Sequence, residues 1–345
     1  MSVLHMLLLT LFYCPLASQS DNVHVERTSV LHGLPNGYIR AIMEDSYGYL
    51  WFGTREGIFR YDGYEFKAYR HDIFDQQSLS HPDINAIIED STGSLWVATA
   101  HGLSFLDRRT GKFQRFYPTL DTSLEARQQN SISCIIALSA DQLLLGIRNK
   151  LFLFDKRKKS FTLIPIIAEE GKEFFIRSFL ADQDKIWIST NNGLLTYNLS
   201  DGVCSDFTQT PPALVNAPIS GLAHGPNGGL WVSTSQELIE YYPSKNQNRS
   251  IAIPAYLATS SINHLFKAKD GKLWLSFYQN GLAMYDPSNN AWNHYTHSSI
   301  LMNSLNNNTV TRIFEDRFAN IWVVTINGTS ILRLDQSGFS EAQKI

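Results

Sequence analysis

Three acidic pairs, Glu44-Asp45, Glu89-Asp90 and Glu315-Asp316, and two neighbouring histidines, His294 and His297, are the groups here that most resemble metal ligands. Carboxylates and imidazoles hold a cation only when several converge on one point. The pairs instead recur at one place in a repeated phrase, which sets them on separate structural units as turn caps. The two histidines flank Tyr295 on a strand-like run. Neither a metal nor a cofactor is expected. The chain has no Gly-x-Ser-x-Gly, His-Glu-x-x-His, Gly-x-x-x-x-Gly-Lys or Cys-x-x-Cys motif, so the common nucleophilic, zinc and phosphate-loop chemistries lack their residues. The basic run Lys156-Arg157-Lys158-Lys159 reads as a solvated loop.

A second set of residues carries another kind of chemistry. Short connections in the repeats present Arg55 and Glu56, His101, Arg148 and Asn149, Asn191 and Asn192, Gln236, Tyr278 and Gln279, and Asn327. Amides, arginines and a tyrosine offer directional hydrogen bonds and a stacking face, which suits a small hydroxyl-rich ligand such as an oligosaccharide. Asn and Gly are also what tight turns need, so turn chemistry accounts for any one of them alone. They form a candidate ligand-binding surface only if the fold gathers them.

The elements that would gather them follow from a period. Gly48-Tyr49-Leu50-Trp51-Phe52-Gly53-Thr54, with Gly57 and Tyr61-Asp62 behind it, returns as Gly93-Ser94-Leu95-Trp96-Val97-Ala98-Thr99 with Gly102 and Leu106-Asp107. Weaker copies centre on Trp187, Trp231, Trp274 and Trp322, and one on Leu144; the anchors are 45, 48, 43, 44, 43 and 48 residues apart. A strand-rich period in the low to mid forties is the signature of propeller blades. The expected fold is all-β, a seven-bladed β-propeller with four-stranded antiparallel blades. In blade 1, residues 39–44 read as the innermost strand, 50–53 as the second and 58–61 as the third. Asp62-Gly63 is a hairpin turn leading to an outer strand at 64–69. The tryptophan is expected to fill the wedge between blades. The connections from second to third strand then crowd one mouth of the central channel, and the last two read as longer by one and two residues. The strand-like segment 23–28 is expected to close the ring as the outer strand of the last blade, with 338–342 competing for that place.

Composition fits one packed domain over 21–345, with 43% apolar, 12% aromatic and 18% charged residues. A net charge of -3 gives no field for a polyanion, so nucleic acid is not an expected partner. Residues 1–20 carry no charged side chain and include the apolar run 6–13, which reads as a secretory signal peptide and a periplasmic location. No later run is long enough to cross a bilayer as a helix. Cys134 and Cys204 fall at different radii of the ring, so no bridge between them is expected.

Leu34-Pro35-Asn36-Gly37-Tyr38-Ile39, Glu44-Asp45, Gly48, Leu50-Trp51-Phe52-Gly53-Thr54, Gly57 and Tyr61-Asp62-Gly63-Tyr64 resemble the two-component regulator propeller repeat. The resemblance runs from about 23 to 335, with Lys150 and Glu237 in place of the hairpin glycine in repeats three and five. It implies an extracytoplasmic, non-catalytic ligand sensor, often for oligosaccharides, working with a membrane-bound sensor kinase or cyclase. Members usually continue into further domains, so this chain reads as a sensor fragment or a soluble binding protein. Two other readings remain open. One is a lyase resembling streptogramin lyases, which needs a histidine and a carboxylate together, here His101 and Glu56. The other is a scaffold for a protein partner, which needs a large exposed apolar patch.

Overall fold

The computed structural model describes residues 23–28, 38–121, 123, 129–167, 173–206 and 212–334. Its strands pair into seven sheets, each built from one sequence repeat. Blade 1 is Ala41–Glu44, Leu50–Gly53, Ile58–Tyr61 and Phe66–Tyr69, hydrogen-bonded in that order. Blades 2 to 6 span 84–116, 134–164, 176–206, 219–251, 262–295, and blade 7 spans 310–334. The first strands touch in a cycle, with Val310–Glu315 of blade 7 returning to Ala41–Glu44 of blade 1. Seven blades therefore close around an axis.

Closure is made by Val23–Thr28, antiparallel to Gly328–Leu334 with Val25 opposite Leu332. A closed ring leaves no inner sheet edge to aggregate. The competing segment 338–342 and the leader 1–20 lie outside the described residues. Blade 4 departs from the four-stranded pattern: Ile166–Ile167, from the link before it, pairs parallel to Cys204–Asp206 as a fifth strand. The hairpin lengths correct another expectation. Thr325 faces Gly328 just as Thr99 faces Gly102 and Thr190 faces Gly193, so blade 7 has an ordinary connection. Blade 6 alone is extended, with Ser276 opposite Leu282 where blade 1 has Gly53 opposite Ile58. Register across the hairpin, not the residue count between motifs, sets its length.

The repeated phrase is a compact bonding unit. Asp45 accepts the amides of Tyr47 and Tyr49 on Oδ1 and the indole N–H of Trp51 on Oδ2, at 3.0, 2.9 and 2.8 Å. Asp90, Asp182 and Asp316 hold Trp96, Trp187 and Trp322 in the same way. Where Leu144 replaces the indole, Leu138 stands at the aspartate's place. In blade 6 Ala268 stands there, and the buried Trp274 N–H has no acceptor among the described residues. The indoles are buried between blades; Trp51, for example, packs with Ile84, Leu95 and Val97 of blade 2. Burying a side chain of that size contributes about 2–3 kcal/mol.

The glutamate of each acidic pair reaches sideways instead. Glu89 accepts the Ser46 amide of blade 1 at 2.6 Å, Glu315 the Lys269 amide of blade 6 at 2.7 Å, and Glu44 the Arg317 amide of blade 7 at 2.7 Å. Arg108 bridges Asp45 and Glu89, and Lys156 reaches Asp90 at 2.6 Å. The pairs thus fasten blade to blade. Neither Cys134 nor Cys204 is bridged; both are buried, and burial pushes the Cys134 thiol up to about 12.

Two links between blades are clamped by arginines on outer strands. Arg115 of blade 2 donates to Ser78 O, Asp72 O and Asp75 O, holding the link from blade 1. Arg27, on the closing strand, donates to Ser304 O, Leu301 O and Ser298 O, holding the link from blade 6. His71 and His297 finish the same motif on Leu79 O and Leu305 O, at 2.6 and 2.8 Å. His294 Nε2 sits on Asn280 O at 2.8 Å, so both histidines of the pair serve as loop supports.

Two predictions follow from these contacts. Burial raises the Asp90 carboxyl, but Lys156, Thr92, Trp96 and Ser94 outweigh it and leave the group at about 2. A lowered folded value adds stability that is full above the unfolded pKa near 3.8 and disappears as pH falls through about 2. Urea unfolding of Asp90→Asn should therefore show a shallower acid limb than wild type between about pH 4 and pH 2. In Arg27→Ala, hydrogen exchange at 298–305 should speed up while global stability falls by only about 1–3 kcal/mol. Unchanged exchange there would contradict the clamp.

Candidate functional site

The hairpins between second and third strands are built on a threonine. Thr54 Oγ1 accepts the Glu56 amide at 2.9 Å and donates to Gly57 O at 3.0 Å, and Thr99, Thr190 and Thr325 repeat this. Gly57 at φ 127° meets Tyr69 O at 2.3 Å from an ideal Cβ, so only glycine fits beside the outer strand. Most of the hairpins then bond the link entering the next blade. Ile84 N donates to Thr54 O, Ile132 N to Thr99 O, Ile176 N to Arg148 O and Ile262 N to Ser235 O. Hairpins and links therefore share one face of the ring, here called the link face.

On that face the sequence candidates have distinct partners. Arg55 lies over the Tyr38 ring at 5.4 Å, and Glu56 pairs with Arg70 at 3.3 Å. Arg148, left-handed at φ 55°, lies over Phe175 at 5.6 Å. Asn191 accepts the Phe175 amide, and Asn192 donates to Glu173 O at 2.9 Å, so both amides brace a link. Tyr278 donates its amide to Ser261 O and leaves its ring exposed beside left-handed Gln279. Asn149, Gln236 and Asn327 are exposed hairpin residues. The hairpins share a face, but the candidates do not share one cavity.

A cavity of about 750 Å³ lies over blade 2 between its hairpin and the two links beside it. Of the candidates only His101 lines it, with His71, His81, Arg115, Tyr117 and Asp121 around it. His101 lies 5.2 Å from the Tyr117 ring, and the His71 and His81 rings are 6.4 Å apart. Burial is the chief reason His81 titrates below the ordinary histidine value; Asp83 opposes it, while His101 and His71 push the same way. Among the described residues no cluster of histidine, cysteine or carboxylate side chains is arranged to hold a metal. Glu56 pairs with Arg70, and His101 is set against the Tyr117 ring. A second cavity of about 580 Å³ opens at the opposite face, among the turns at 137–138, 181–183 and 224–229.

Two features escaped the sequence reading. Half-exposed aromatic rings on the links, Tyr38, Phe175 and Tyr256, join Tyr278 on this face. The other is a polar ring about the axis. Every innermost strand begins with a buried Ile or Val followed by a polar residue: Arg40, Asn85, Ser133, Arg177, Ser220, Asn263 and Thr311. Asn85 donates to Ile132 O, Ser133 to Ile176 O, Arg177 to Ile219 O and Thr311 to Ile39 O, each in the next blade. Arg40 reaches Asp83 and Asn85 instead. The polar residue after the buried one, repeated seven times, was the available signal.

Comparisons with known proteins fit this arrangement. A model described as "Two component regulator propeller" matches residues 33–56 and 78–101. A 78-residue stretch is 32% identical to Histidine kinase P4 of Formosa agariphila, covering 23% of this chain and 6% of that protein. Among solved structures, the extracellular domain named for the hybrid two component system BT3049 of B. thetaiotaomicron superposes with a TM-score of 0.71 at 23% identity. That match covers 90% of this chain and 41% of the other. A streptogramin B lyase gives 0.71 at 14% identity, covering 91% of this chain and 98% of the lyase. At such identities the likeness is one of fold, and the chain spans well under half of the signalling proteins it matches. The fold is a seven-bladed propeller, and two of its repeats, at 33–56 and 78–101, match the two component regulator propeller model.

Proposed function

We propose that this chain is the extracytoplasmic, non-catalytic sensor module of a bacterial signal-transduction system, and that it recognises an oligosaccharide on the link face. The observation that carries the reading is the open cavity of about 750 Å³ on a face lined with hydrogen-bonding side chains and exposed aromatic rings. Sugars are bound by directional polar groups plus a flat apolar platform, and Tyr117, Tyr278, Phe175 and Tyr256 offer such platforms. Arg55, Arg148, Asn149, Gln236, Gln279 and Asn327 add donors and acceptors at the rim. In this reading 1–20 is a leader, 21–345 is the sensor domain in the periplasm, and its signalling partner is a membrane-bound kinase or cyclase. The fold likeness to extracellular domains of two component systems supports it.

A protein partner is the second reading, favoured by one observation. The clamped links carry exposed apolar tips, Ile73 and Phe74 on one and Ile300, Leu301 and Met302 on the other. A fold shared with streptogramin lyases is the sole support for turnover.

Glycan-array screening followed by calorimetry on the purified chain separates these readings. Saturable binding of an oligosaccharide is expected, weakened about tenfold in Tyr117→Ala or Tyr278→Ala, with the sugar recovered intact. No binding across the array, or cleavage of the bound sugar, would count against the proposal.

A further inference from the structure

At the axial end of the link face the charges do not balance. Arg40 shares Asp83 at 3.1 Å, and that pair is neutral. Arg312 donates from Nε to Arg40 O at 2.6 Å and from Nη1 to Thr311 O at 2.8 Å. Arg177 makes one long bond, 3.5 Å, to Ile219 O. Neither Arg177 nor Arg312 has an ion-pair partner among the described residues. Carbonyl acceptors use only part of a guanidinium's five donors and leave its charge uncompensated.

Among the described residues the carboxylates have other places. The acidic pairs lie at the other end of the innermost strands, where Arg108, Arg317 and Lys156 answer them. Of the described carboxylates on this face, Glu56 is held by Arg70 and Asp83 by Arg40, Asp72, Asp75 and Asp121 accept amides within their own links, and Glu173 and Glu237 belong to the links and hairpins of blades 4 and 5. One other group registers the positive field. Burial first, and Arg312 second, hold His264 down at about 3. Burial also lowers Arg312 itself, with Tyr38 opposing and Arg40 adding to the fall. A narrow channel walled by protein focuses such a field on whatever enters it.

We infer that Arg177 and Arg312, with Arg40 beside them, form an anion subsite that takes a carboxylate or sulfate group of the ligand, so that the ligand is an acidic oligosaccharide. This deepens the sugar-binding reading above and rests on it. The path from axis to cavity is short: Arg40 bonds Asp83, and the Asp83 amide donates to His81 Nδ1 at 3.1 Å, at the cavity wall. A ligand of a few sugar units would set its acidic group on the axis and its neutral hydroxyls over blade 2.

The test is calorimetry on the full chain with oligogalacturonides, sulfated galacto-oligosaccharides, neutral galacto-oligosaccharides of matched length, and inorganic sulfate, each at low and high salt. An acidic oligosaccharide is expected to bind at least about tenfold tighter than the neutral one and to weaken as salt rises. The double variant Arg177→Gln, Arg312→Gln should lose that advantage while its thermal unfolding stays cooperative. Whichever acidic probe wins distinguishes carboxylate from sulfate. A nuclear magnetic resonance titration supplies an independent readout, since bound sulfate should raise the His264 pKa in wild type. Equal binding of neutral and acidic sugars, unchanged in the double variant, overturns the anion subsite and leaves the sugar reading intact. Arginine-dependent sulfate binding without any oligosaccharide binding does the reverse. Binding by none of the probes overturns both.

Discussion

The bond from a turn aspartate to a buried indole is the interaction on which this ring depends. It ties three things together: the tight turn after each innermost strand, the position of the second strand, and the ring that wedges against the next blade. Where all three are present, as in Asp45 with Trp51 or Asp316 with Trp322, one carboxylate satisfies the turn amides and the indole at once. A buried N–H left without an acceptor has a cost of about 1–3 kcal/mol. Blade 3 escapes that cost because Leu138 and Leu144 replace both partners. Blade 6 keeps the indole without the acid and tolerates the orphaned N–H of Trp274.

Much of this was legible because it is local. Glycine, tryptophan and aspartate at fixed spacing determine a hairpin and its wedge without reference to distant residues, so blade number and strand order could be read directly. The closing strand is a long-range pairing, and sequence alone left 23–28 and 338–342 competing for it. The candidate site was less legible because it is assembled across blades. That Arg70 meets Glu56, or Arg40 meets Asp83, depends on the register between one blade and the next. The aromatic rings of Tyr38, Phe175 and Tyr256 sit in links, which vary in length and carry no period to follow. The amides of Asn191 and Asn192 looked available in sequence, yet both are engaged in holding the link before blade 4.

The two faces of the ring divide the labour by charge and by backbone. At the turn face, carboxylates and cations alternate from blade to blade and neutralise one another. At the link face, threonine-built hairpins fasten to the links through main-chain bonds, and a smaller set of side chains, among them Arg27, Arg115, Asn191 and Asn192, braces the links. Ion pairs between blades thus dominate one face, and main-chain bonds the other.

Arg27 gives that division an unexpected hinge. The strand that seals the circle also props the 298–304 link from beneath, as Arg115 props its twin. Sealing and rim-shaping are therefore one event for the seventh blade. A force or a partner that peeled Val23–Thr28 away would unbutton the 298–304 link in the same motion.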